Sequence, residues 1–287
     1  MKHVWKLSDY LFGWYWKKWG KVITIVSLCL GALFLAFSAL PSGDPDSLEY
    51  YSMAFRSYDM ILDSSFLPIV FALGLLLIFL LQFVQMKGFF HNGKGIYTLC
   101  TLPMKRREVY LSFLLSLAAA VAVYYLLWLV LLVAAYFPVT ILNERAAARE
   151  IFYLSEGVTL TGLDTHIENG LFLAFRRSAF LATFFPVSLW HIPPFLVGLC
   201  LIGTALLNGC FHSQKIGTCV AVSLADILMG LYLFLATSLQ REDFLYSFGN
   251  DQTLFLGRNV VLALVLLAVA VVQQVSILKH LEEEIEL

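Results

Sequence analysis

Charge is what this sequence has least of. Only 14% of its 287 residues are Asp, Glu, Lys or Arg, where a soluble domain carries roughly 25%. The net charge is −1, which gives no overall attraction to nucleic acid. Cysteine chemistry is missing too. The five cysteines (Cys29, Cys100, Cys200, Cys210, Cys219) lie in apolar runs or in a loop placed on the cytoplasmic side, and no CxxC pair occurs. An extracellular disulfide framework and a zinc site both lack their residues. No GxxxxGK[ST] phosphate loop is present, so the chain is not itself an ATPase. No GxGD, GxSG or HExxH appears, which removes the paired groups an intramembrane protease needs. Internal repeats and low-complexity tracts are also lacking.

What the chain has is apolar length. Hydrophobic residues make up 60% of it, with 24 Phe, 13 Tyr and 6 Trp. A hydrocarbon core needs about 20 apolar residues at about 1.5 Å each. Six stretches meet that: 22–40, 66–86, 110–137, 187–211, 216–239 and 257–278. The first is longer than the apolar core of a signal peptide and follows some twenty residues rich in Trp and Lys, so it reads as a retained helix. The fourth is the least regular, because Arg176, Arg177, Pro186, Pro193 and Pro194 interrupt residues 170–195. An interfacial helix over 170–184 is expected there, with a broken seventh membrane segment as the alternative.

Basic residues give the orientation. With the N-terminus inside, cytoplasmic segments hold twelve of the 19 Lys and Arg and outer segments seven. The loop 41–65 carries one basic residue against five acidic, and 240–256 one against three. Both termini are therefore expected in the cytoplasm of a multi-pass cell-membrane protein. The longest outer loop is expected at about 138–186.

Residues 1–21 combine Trp5, Tyr10, Phe12, Trp14, Tyr15, Trp16 and Trp19 with five lysines. Aromatic rings favour the headgroup layer and lysines the anionic inner face, so membrane lipid is the expected partner of an amphipathic helix lying in the interface. Between the second and third spans, Gly93 and Gly95 mark a turn, Ile96–Thr101 suit a short helix, and Pro103 ends it before Lys105, Arg106 and Arg107. The basic run is in part an ordinary positive-inside signal.

The run YTLCTLPMKRREVYLSFLLS resembles the stretch after the second helix of ABC-2 type permeases, where a short helix ends in Leu-Pro before a basic pair, an acidic residue and the third span. The matching positions are Leu102, Pro103, Arg106, Arg107 and Glu108. The resemblance implies an all-α permease with six spans, an interfacial N-terminal helix and a cytoplasmic coupling helix. It implies that Tyr97, Thr98, Leu99, Thr101, Leu102, Pro103, Arg106, Arg107 and Glu108 dock on a separate ATP-binding subunit. ATP and Mg would be bound there and no cofactor by this chain. It further implies a second permease, identical or related, and export of an amphipathic, lipid-like or peptide substrate. The outer loop after the third span is longer than such permeases usually have.

Asp226 is the acidic residue deepest in a span, eleven residues into the fifth. A charge there costs on the order of 3 kcal/mol. Two readings stand: a gating or substrate contact, or a structural carboxyl, protonated or bonded to a neighbouring helix through partners such as Ser223 or Asn208. A secondary transporter built on Asp226 and a non-transporting accessory or immunity subunit remain alternative functions. His191 and His212 lack ligand-spaced partners and read as polar caps. Glu282, Glu283, Glu284 and Glu286 read as a solvated tail.

Overall fold

A computed structural model describes residues 2–40, 56–91, 105–155, 170–186, 191–211, 220–234 and 251–283. Among the described residues helices account for nearly everything and no strand forms. In chain order they are α1 (Lys2–Tyr15), α2 (Lys21–Ala39), α3 (Tyr58–Ser64), α4 (Leu67–His91), α5 (Arg106–Ser155), α6 (Leu171–Arg177), α7 (Ala179–Phe184), α8 (Ile192–Phe211), α9 (Val220–Phe234) and α10 (Asp251–Glu283).

Five helical stretches are long and apolar enough to cross a membrane: His3–Ala39, Leu67–Gly88, Arg107–Leu142, Ile192–Gly209 and Gly257–Lys279. Large apolar side chains stand exposed along them, including Val26 and Phe37, Leu73 and Leu80, Leu126 and Val130, and Val265 and Val272. Apolar surface on that scale is what a multi-pass membrane protein presents to lipid. The fifth expected span, 216–239, is described as α9 of 15 residues. That is shorter than the roughly 20 a membrane requires, and 212–219 and 235–250 lie outside the described residues.

Helix starts follow local rules. Pro68 falls in the first turn of α4, and Pro193 and Pro194 in the first turn of α8, where the missing N–H groups had no helical partner anyway. The prolines thus begin a helix rather than break a span. His191 supplies the first helical carbonyl, to Phe195 N at 3.1 Å.

Two stretches differ from expectation. The third span continues as helix to Ser155, with Pro138 inside it, so 138–155 is not loop. The run ILNERAAAREIFYL is dominated by Ala, Arg, Glu and Leu, and these favour helix. The 170–184 stretch is two short helices separated by Ser178, and Phe180, Leu181 and Ala182 are buried. A single helix lying on a lipid surface does not describe it.

The chain forms two compact units. One comprises 24–74 and 124–182, the other 1–23, 75–123 and 183–287. In the first, α2, α4 and α5 are clamped by a polar chain. Trp128 Nε1 donates to Ser27 Oγ at 3.2 Å, and Tyr124 Oη donates to the Phe71 carbonyl at 3.0 Å. Tyr124 has one proton, already given to Phe71. The 2.9 Å bond between Ser27 Oγ and Tyr124 Oη therefore runs from serine to tyrosine. Glycines make room for the rings: Gly31 faces the edge of Trp128, and Gly74 faces the Tyr124 hydroxyl.

The same unit ties α3 to its neighbours. Tyr58 Oη donates to the Leu132 carbonyl at 2.7 Å, and burial pushes this phenol well above its usual pKa. Asp63 accepts from Ser178 Oγ at 2.6 Å, Ala179 N at 2.8 Å and Phe180 N at 3.0 Å. One carboxylate thus caps α7 from another helix, where N-terminal amides favour negative charge. Asp63→Ala should free this segment by about 1.4 kcal/mol, seen as about tenfold faster tryptic cleavage after Arg177. Asp63→Asn should fall between the two.

In the second unit α8 packs on α10 around Val197, Leu201, Leu233, Ala263 and Ala270. α9 crosses α8 where Gly198 and Gly230 meet. A Cβ at Gly230 would lie 3.0 Å from the Gly198 carbonyl and 3.0 Å from Ile202. Small residues at such crossings let backbones approach. Gly230→Leu should destabilise by about 2–3 kcal/mol, measured as earlier thermal aggregation in detergent, with Gly230→Ala much milder.

Candidate functional site

Of the docking residues expected from sequence, Tyr97, Thr98, Leu99, Thr101, Leu102 and Pro103 lie outside the described residues. The described part begins at Lys105 and enters α5 at Arg106. Glu108 N and Val109 N both donate to the Lys105 carbonyl, at 2.8 and 3.3 Å, and Lys105 N donates back to Glu108 Oε2 at 3.4 Å. That reciprocal pattern is the acidic half of a capping box. It gives Glu108 a job inside its own helix. Arg107 is solvent-exposed.

α1 lies against the start of α5 and the end of α4. Its buried stripe is Val4, Leu7, Ser8, Leu11 and Tyr15, spaced as one helical face. Ser112 Oγ donates to the Val4 carbonyl at 3.2 Å, and Gln85 Nε2 to the Leu11 carbonyl at 3.4 Å. Ser112 is five residues beyond Arg107 and Gln85 two before Lys87. α1 thus spans from the basic end of α5 to the basic end of α4. Trp5, Tyr10 and Trp14 are exposed, with Lys18 5.0 Å from the Trp14 ring. The helix reaches α2 without a break through one π turn at Trp16–Gly20, closed by Lys21 N donating to the Trp16 carbonyl.

Asp226 is 5% exposed on α9. Its partner is neither Ser223 nor Asn208, the neighbours suggested by sequence, but Gln273 of α10, whose Nε2 donates to Oδ1 at 3.1 Å. Ser223 Oγ instead donates to the Ala205 carbonyl at 3.1 Å. The adjacent Gln274 accepts from Tyr110 Oη of α5. Gln273 and Gln274 therefore join α10 to α9 on one side and to α5 on the other. Gln273 precedes Lys279 by six residues, about 9 Å of helix, and Tyr110 follows Arg107 by three, about 5 Å. Gln273 and Tyr110 therefore sit toward the basic ends of α10 and α5, while Asp226 lies at the middle of α9, seventh of its 15 residues.

Three buried atoms here have no hydrogen-bond partner: Asp226 Oδ2, Gln273 Oε1 and Gln274 Nε2. Unpaired polar atoms in a low-dielectric interior are costly and call for an explanation. Sequence reasoning passed over Gln273, Gln274 and Tyr110. The signal for the first two was present, an amide pair inside the apolar run VAVVQQVSI.

His191 is half-buried with Nδ1 unpartnered, and burial pushes its pKa down. Among the described residues no group of three or more His, Cys, Asp or Glu is placed to hold a metal. His212, Cys100, Cys219 and Glu284 to Leu287 lie outside the described residues. Cys29 and Cys200 are free thiols.

No protein family, curated protein or solved structure matches the chain.

Proposed function

We propose that the chain is the membrane-spanning subunit of an ATP-driven exporter, working with a second permease and a separate ATP-binding subunit. The observation that carries this reading is the run from Tyr97 to Glu108 leading into α5, with its resemblance to the coupling segment of ABC-2 permeases. α1 supports it. A helix that bridges the basic ends of α4 and α5, with exposed Trp and Lys, suits the inner membrane interface. In this reading the basic ends of α4, α5 and α10 face the cytoplasm, and both termini lie there. Six crossings follow if α9 extends into its flanking residues. The substrate is amphipathic, lipid-like or a peptide.

A secondary transporter is the second reading, and the buried Asp226 with one unpaired oxygen is the observation that favours it.

The test is affinity purification of the tagged chain in mild detergent. An ATP-binding subunit should co-purify in about equal amount, and replacing 97–107 should abolish it. A chain that purifies alone from its native membrane overturns the exporter reading.

A further inference from the structure

Asp226 stands out because its environment answers only half of its chemistry. Oδ1 accepts one neutral amide hydrogen bond, from Gln273. Oδ2 has no partner, and among the described residues no Lys, Arg or His pairs with this carboxyl. Gln273 gives one of its two amide N–H groups to Asp226 and leaves its own oxygen unpaired. The pair therefore holds two unsatisfied oxygens, one of them a carboxyl oxygen. Across α10, Gln274 is held by Tyr110 and keeps only a donor free. The unpaired atoms are themselves buried, while Gln273 and Gln274 as whole residues are half-buried.

We propose that Asp226 and Gln273 form a binding site for a small organic cation bearing N–H donors, a primary ammonium group, with Gln274 and Tyr110 fixing α10 in place. Two acceptor oxygens, one of them a carboxylate, match two N–H bonds and a positive charge. A metal ion fits less well, since zinc takes four ligands and calcium six to eight. Binding removes the two costs the bare site carries, an uncompensated carboxyl and an orphaned amide oxygen. The site does not depend on the exporter reading, because it uses residues of this chain alone.

The test uses radiolabelled methylammonium and the purified full-length chain in nanodiscs of zwitterionic phosphatidylcholine. One saturable site per chain is expected. Ammonium should displace the label, while tetramethylammonium, which has no N–H, should not. Asp226→Asn should weaken binding by about tenfold or more, and Gln273→Met by a smaller factor. Should Asp226→Asn fail to give a monodisperse protein, Gln273→Met carries the comparison, since it keeps side-chain length and loses the free oxygen. Absence of saturable binding, equal competition by tetramethylammonium or by sodium, or unchanged affinity in the folded variants overturns the site. None of these outcomes bears on whether an ATP-binding subunit co-purifies.

Discussion

Gly74→Val is expected to leave almost no folded protein. A Cβ at this position would sit on the Tyr124 hydroxyl and 2.8 Å from Ser27 Oγ. Tyr124 and Trp128 are fully buried, and Phe71 packs close to both, tilted on one and edge-on to the other, at 5.2 and 5.3 Å between ring centroids. The phenol therefore has no free space to swing into. Moving it breaks the bond to the Phe71 carbonyl and the bond from Ser27 together, and Ser27 is also the acceptor for Trp128. Each such bond inside a membrane protein contributes about 0.6–1.7 kcal/mol, and overpacking adds about 1–3 kcal/mol. Gly74→Ala should show the same effect in weaker form, as a lower thermal midpoint by fluorescence-detected size exclusion. Removing the obstructing oxygen should help: Gly74→Ala with Tyr124→Phe should be more stable than Gly74→Ala alone. A double variant no better than the single one would show that the oxygen is not what Gly74 accommodates.

Replacing residues 97–107 with a Gly-Ser linker of equal length, while keeping Glu108, is expected to abolish co-purification of an ATP-binding subunit. The retained glutamate is the point of the design. Glu108 closes the first turn of α5 through Lys105, so its loss weakens the helix as well as any contact. Substituting an N3 capping residue costs about 1 kcal/mol, which lowers yield without bearing on docking. Arg106→Ala with Arg107→Ala should leave the cap and the thermal midpoint in place and reduce the co-purified subunit severalfold. Equal recovery of that subunit from the linker variant would remove the segment from the interface.

The apolar helices were legible because the signal is local. Runs such as Val22–Leu40 and Val260–Val272 contain too few polar groups to be anything but buried or lipid-facing. Pro68 falls in a helix's first turn for the same local reason, and so do Pro193 and Pro194, which had been expected to interrupt residues 170–195. The helical continuation to Ser155 was hidden because the charges in ILNERAAAREIFYL end the apolar run, although its residues favour helix. The division of 170–184 at Ser178 depends on Asp63, more than a hundred residues away, so no local pattern announces it.

By itself the sequence determined that this chain is a set of apolar helices with a basic, aromatic N-terminal segment, and that Asp226 is an expensive residue. Hydrophobicity and helix-start chemistry act over a few residues, and a sequence displays them directly. Only the tertiary structure decided which polar groups meet. Asp226 pairs with Gln273 across 47 residues, Ser27 with Tyr124 across 97, and Tyr110 with Gln274 across 164. A polar residue in an apolar helix must find some partner, but helix rotation and packing select which one.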